Sequence, residues 1–114
     1  MIEVYRWSDL PQEQVTPQHS TAFGGTIQGE RIEVCQLTYR AGTGAKPHSH
    51  PNEQIVVVLN GRIRVRIGDE EAIVGPGMAV RFPPGIVHQA QATDDQDALV
   101  ISVKDLVDGK GHKI

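Results

Sequence analysis

Between Gln54 and Phe82 the chain never runs more than seven residues without meeting a turn signal. Asn60-Gly61, Gly68-Asp69, Gly75-Pro76-Gly77 and Pro83-Pro84-Gly85 separate QIVVVLN (54–60), RIRVRI (62–67), EAIV (71–74) and MAVRF (78–82). Such pieces are too short for helices and rich in β-branched residues, so they are predicted as strands. RIEVCQLTYR (31–40), IVHQA (86–90) and ALVISV (98–103) extend the series. Many short strands at this spacing imply an all-β fold, an antiparallel sandwich or barrel. Asn60-Gly61, lying between two apolar runs, predicts a tight type I′ hairpin.

Two runs describe their surroundings. In 62–67, Ile63, Val65 and Ile67 alternate with Arg62, Arg64 and Arg66, so one face is buried and the other solvated. In 54–60, Ile55, Val57 and Leu59 point one way and Val56 and Val58 the other. A strand apolar on both faces needs cover on both, which predicts a homodimer. At 114 residues the chain is expected to form one domain. Residues 1–24, interrupted by Pro11 and Pro17, read as a polar arm anchored by Trp7 and Phe23. Residues 25–104 read as the barrel, and the glycine-rich 105–114 as a tail that frays.

The net charge of −3 favours neither nucleic acid nor an anionic membrane as partner, and no apolar run is long enough to span a bilayer. With a single cysteine, Cys35, and no signal-peptide layout, a cytoplasmic protein is expected. Cys35 reads as a small buried hydrophobe. Asp94, Asp95 and Asp97 lack the glycine and glutamate of a calcium loop and read as a solvated hairpin. The glycine-proline turns at 75–77 and 83–85 precede no helix, so they are not phosphate cradles.

The chemistry lies in the histidines. His48 and His50, spaced i and i+2, share one face of an extended chain, and His88 follows the Pro83-Pro84-Gly85 turn. Three neutral imidazoles from two non-adjacent strands suit one divalent transition metal: Zn, Fe, Ni, Mn or Cu. Gln54 has the parity of the histidines and Glu53 the opposite one, unless Pro51-Asn52 hosts a bulge.

These residues resemble the two signatures of the cupin superfamily. The first runs through Gly42, His48, His50, Gln54 and Gly61, with glutamine where glutamate is usual. The second runs through Gly77, Pro83, Gly85 and His88, with Ala92 where asparagine is usual. The resemblance spans about half the chain and implies a double-stranded β-helix, a small jelly-roll barrel. It also implies a metal held by His48, His50, His88 and one further side chain, for which spacing favours Gln54. A neutral amide beside three neutral imidazoles leaves the metal charge uncompensated, which favours anionic ligands and Lewis-acid chemistry.

The stretch HSHPNEQIVVVLNG is also similar to that of small cupins that open unsaturated uronates. Those carry an aspartate and an aromatic on the last strand, near which this chain has Ser102 and Lys104. An isomerase- or lyase-type enzyme acting on a small anionic, oxygen-rich substrate is therefore expected. A non-haem dioxygenase and a non-catalytic ligand-binding cupin are the alternatives. Tyr39, Arg81 and Ser102 are the candidate catalytic residues. Glu53, should the phase flip, and His19 stand behind them; the plain structural readings are barrel packing for Tyr39, an exposed strand charge for Arg81 and a surface residue of the arm for His19.

Overall fold

The structure, a computed structural model, describes residues 1–112. Its strands are β1 (Glu13–Gln14), β2 (Phe23–Gln28), β3 (Ile32–Tyr39), β4 (Gly44–His48), β5 (Gln54–Asn60), β6 (Ile63–Ile67), β7 (Glu70–Val74), β8 (Ala79–Phe82), β9 (His88–Ala92) and β10 (Ala98–Asp105). They form two antiparallel sheets, β1-β2-β3-β10-β5-β8 and β4-β9-β6-β7. The two sheets face each other across one core, as in a jelly roll. No helix among the described residues is long and apolar enough to cross a membrane.

Alternation decides what enters the core. Cys35 and Leu37 from β3, Val56 and Val58 from β5, and Ile63 and Val65 from β6 are at most 5% exposed, as are Ala98 and Val100 from β10. Residues between them face outward, including the exposed arginines at 62, 64 and 66. Arg62 pairs with Asp95 and Arg66 with Glu71, each at 3.0 Å, as expected of a solvated sheet face.

The Asn60-Gly61 hairpin does not form. β5 pairs with β10 and β8, whereas β6 pairs with β9 and β7, so this dipeptide carries the chain from one sheet to the other. A type I′ turn needs positive φ at both central residues, and only Gly61 has it, at +73°.

The two ends are more integrated than a polar arm and a fraying tail. Val15, Thr16, Ser20 and Ala22 are buried, whereas Phe23, expected as an anchor, is half exposed. At the other end His112 is 8% exposed, and both its backbone N–H and its ring Nδ1 reach Glu33 Oε1, at 2.8 and 2.9 Å. Asn52, fully buried, donates to the carbonyls of Asp105 and Lys110 and so ties the loop before β5 to this segment. Residues 113 and 114 of the expected tail lie outside the described residues.

Candidate metal centre

The cavity between the sheets gathers residues far apart in the chain. His48 ends β4, His50 lies in the loop beyond it rather than on a strand, and His88 opens β9 opposite His48. Their ring centroids are 4.5–5.6 Å apart, and one ligand atom from each lies within 4.8 Å of the others.

The orientation of each ring is set by the backbone. Nδ1 of His48, His50 and His88 faces the carbonyl of Lys46 (2.6 Å), Asn52 (3.1 Å) and Ile86 (3.1 Å), respectively. A carbonyl only accepts, so each Nδ1 carries the proton and each Nε2 keeps its lone pair. This is the arrangement in which histidines serve as oriented metal ligands. Nε2 of His88 is buried without a hydrogen-bond partner, an orphan that a cation would satisfy.

Gln54 is turned inward and Glu53 outward. The Gln54 amide donates from Nε2 to Ser102 Oγ at 2.8 Å, which aims its Oε1 at His50 Nε2, 3.2 Å away. In this orientation two acceptors face each other with no proton between them, a contact that a shared cation relieves. An imidazolium at His50 is the other way to relieve it. Burial, and after it the charge of Lys104, oppose that by holding the His50 pKa below its ordinary value. The three imidazoles therefore fit a divalent transition metal, with the neutral Gln54 amide oxygen turned toward the same point.

The other expected site residues divide. Ser102 is 4% exposed and serves as the acceptor that positions Gln54. Tyr39 lines the cavity, with its phenol pKa pushed up by burial. Arg81 is not brought to the cavity: it stands outside, paired with Glu53 at 2.6 Å. His19, read as a surface residue of the arm, stacks on His48 at a centroid distance of 4.0 Å. Burial, then the neighbouring His48 and Lys104, lower its pKa to about 4.

Sequence reasoning named Lys104 only for its place near the aromatic of the similar cupins, and it missed Glu33; the structure makes both of them cavity residues. Both are charged residues near strand ends, yet β10 and β3 turn them inward, directly across from each other. Strand parity with Ser102 was the available signal. Glu33, Cys35 and His112 also have ligand atoms within 4.8 Å of one another. They do not suit a cation, because the Lys104 charge acts on both Glu33 and Cys35. Burial also pushes the Cys35 thiol up to about 11, far from a thiolate.

A pH dependence follows for the metal-free protein. Burial first, and the neighbouring His48, His50 and Lys104 charges, hold the His88 pKa at about 4, against 6.5 in an unfolded chain. A lowered histidine contributes its full stability above pH 6.5 and loses it as the pH falls toward 4. The expected loss is at most about 3 kcal/mol from His88. Urea unfolding at pH 7, 5.5 and 4.5 measures it, and His88→Gln should flatten the profile.

Comparison with known proteins places this geometry. A Cupin domain family model matches residues 36–104. The "H2HPP isomerase" of Bacillus subtilis is 30% identical over 96 residues, covering 83% of this chain and 38% of that protein. The "Auxin-binding protein T85" of Nicotiana tabacum is 28% identical over 110 residues, covering 84% and 59%. The chain thus spans less than two thirds of either relative. Among solved structures, TT1209 from Thermus thermophilus superposes with a TM-score of 0.72 at 27% identity, over 91% of this chain and 97% of that one. KdgF from Halomonas sp. shares the fold with a TM-score of 0.78 at 21% identity, over 92% and 94%. With the family match covering more than half its length, and both histidine signatures meeting inside one jelly roll, the chain belongs to the cupin domain family.

Proposed function

We propose that this cupin is a metal-dependent enzyme acting on a small, oxygen-rich anionic substrate by isomerase- or lyase-type chemistry. The observation that carries the reading is the donor set: three imidazoles with Nε2 lone pairs turned inward, and one amide oxygen, all neutral. His48, His50, His88 and Gln54 would hold the ion. A divalent metal bound there supplies Lewis-acid polarisation of a substrate oxygen and a positive charge that no protein ligand cancels. Ser102 fixes the Gln54 amide, while Tyr39 and the buried aliphatic side chains exclude water. His19, neutral at pH 7 and stacked on His48, is placed to exchange a proton with a substrate in the cavity. The name of the Bacillus subtilis relative supports isomerisation. That of the Nicotiana tabacum relative, an auxin-binding protein, favours a second reading, a non-catalytic cupin that binds a small ligand.

One experiment separates the readings. The protein is loaded in turn with Zn, Mn, Ni and Fe(II), and metal content is measured by mass spectrometry. Small hydroxy and keto acids are then followed by proton NMR in D₂O. Metal-dependent isomerisation or C–H exchange supports the enzyme; tight binding without turnover supports the binder. Absence of stoichiometric metal in every preparation sinks the enzyme.

A homodimer belongs to the same proposal. On the outward face of the larger sheet, Ile27, Val34, Val103 and Ile55 lie side by side across β2, β3, β10 and β5. Ile55 and Leu59 are 42% and 45% exposed. A second copy seated on this face removes that apolar surface from water. Val103→Glu is expected to shift the protein from dimer to monomer mass in light scattering, and a wild-type protein that is already monomeric overturns the assignment.

A further inference from the structure

Lys104 is a buried lysine that stands across from one carboxylate, Glu33, which acts on its charge without forming an ion pair with it. It is 9% exposed and faces the cavity from β10, two residues beyond Ser102. In register it stands between Glu33 on β3 and Gln54 on β5. The nearby carboxylate is already engaged, since Glu33 Oε1 accepts both the backbone N–H and the ring Nδ1–H of His112. Among the described residues Lys104 makes no hydrogen bond and no ion pair within 4 Å. His112 Nε2, lining the same cavity, is buried without a partner.

An ammonium has three donors and no acceptor capacity, and burying it without partners is costly. One carboxylate, Glu33, cannot balance both Lys104 and a divalent ion held by neutral ligands, so the loaded cavity has a net positive charge.

We propose that Lys104 is the residue that selects the substrate, by binding a carboxylate on one end of a small molecule whose other oxygen end lies at the histidines. This rests on the metal-dependent reading above and narrows its substrate to dicarboxylates and to keto or hydroxy acids. Gln54, paired in register with Lys104 and facing His50, leaves a ligand spanning the two ends in contact with its amide.

The test is binding, not turnover. Zinc-loaded protein is titrated calorimetrically with malonate, succinate and glutarate, and with the monoamide of each, in which one carboxylate becomes a neutral group of nearly the same shape. Metal content is measured before and after. Wild-type protein should prefer at least one diacid over its monoamide by about 10- to 100-fold, as fits loss of a buried charge-assisted hydrogen bond. Lys104→Met should lose that preference while keeping one equivalent of zinc, and Lys104→Arg should keep part of it. Should Lys104→Met not fold, Lys104→Gln is taken through the same cycle. Equal binding of diacid and monoamide by wild-type protein overturns the proposal, as does an unchanged preference in the neutral variants. Loss of zinc from wild-type protein itself would instead count against the metal-dependent reading.

Discussion

His88→Ala is expected to lower metal affinity on the order of 10³-fold, because about 10–16 kcal/mol of binding in a four-ligand zinc site is shared among its ligands. His88 is the most enclosed of the three histidines, 4% exposed, with its ring 4.5 Å from that of Phe82 and its Nε2 lacking any partner. Removing the imidazole deletes a donor that no neighbouring group can replace. The metal-free fold should survive, since the variant also removes an unsatisfied buried nitrogen. Thermal unfolding with and without metal reads the effect: the wild-type midpoint rises on metal addition and the variant midpoint does not. Ser102→Ala makes the contrast. It leaves all four donors in place but frees the Gln54 amide, and a loss of only about 10- to 100-fold is expected. A full equivalent of tightly bound metal in His88→Ala would remove this site from the mechanism.

A large effect on folding is expected at Gly61, where a positive φ and a close backbone approach coincide. Its φ of +73° disfavours any L side chain, and a Cβ there would lie 2.2 Å from the carbonyl oxygen of Asp97 and 2.8 Å from Cα of Ala98. Those are backbone atoms at the start of β10, beside the fully buried Ala98, and they cannot swing aside. Gly61→Ala should therefore destabilise by about 4 kcal/mol, the left-handed conformation contributing about 1–2 kcal/mol and the clash the rest. Gly68→Ala is the control. It has a φ of +60°, and a Cβ at this position would meet nothing within 4 Å, so only the conformational cost of about 1 kcal/mol applies. Urea denaturation of the two variants should differ accordingly; equal losses would show that close approach at the sheet corner is not what position 61 needs.

Position 61 also marks where local reading stops. Asn-Gly between apolar runs is a hairpin signal, but whether flanking strands pair depends on which sheet each one joins. β10 takes one edge of β5, β8 takes the other, and β6 is left to the smaller sheet. Alternation, by contrast, is a local property, and it was legible wherever a strand was unbroken. It separated Ile63, Val65 and the partly buried Ile67 from the arginines of 62–67; Gln54 rather than Glu53 does face the histidines, but across a loop that strand parity does not govern.

The cavity divides along the same line. His48, His50 and His88 were readable because their spacing is confined to two short segments. His19, Glu33, Lys104 and His112 come from four separate places, and each has an ordinary surface reading by itself. Arg81 looked equally eligible, yet its strand faces it outward to Glu53. By itself the sequence determined the short antiparallel strands, the turns that divide them, and the residue types able to hold an ion, because these depend on neighbours within a few positions. Only the tertiary structure decided that two sheets close around a lysine and a glutamate, and that both chain ends complete the cavity, because side chains distant in sequence acquire a common environment only when the strands are paired.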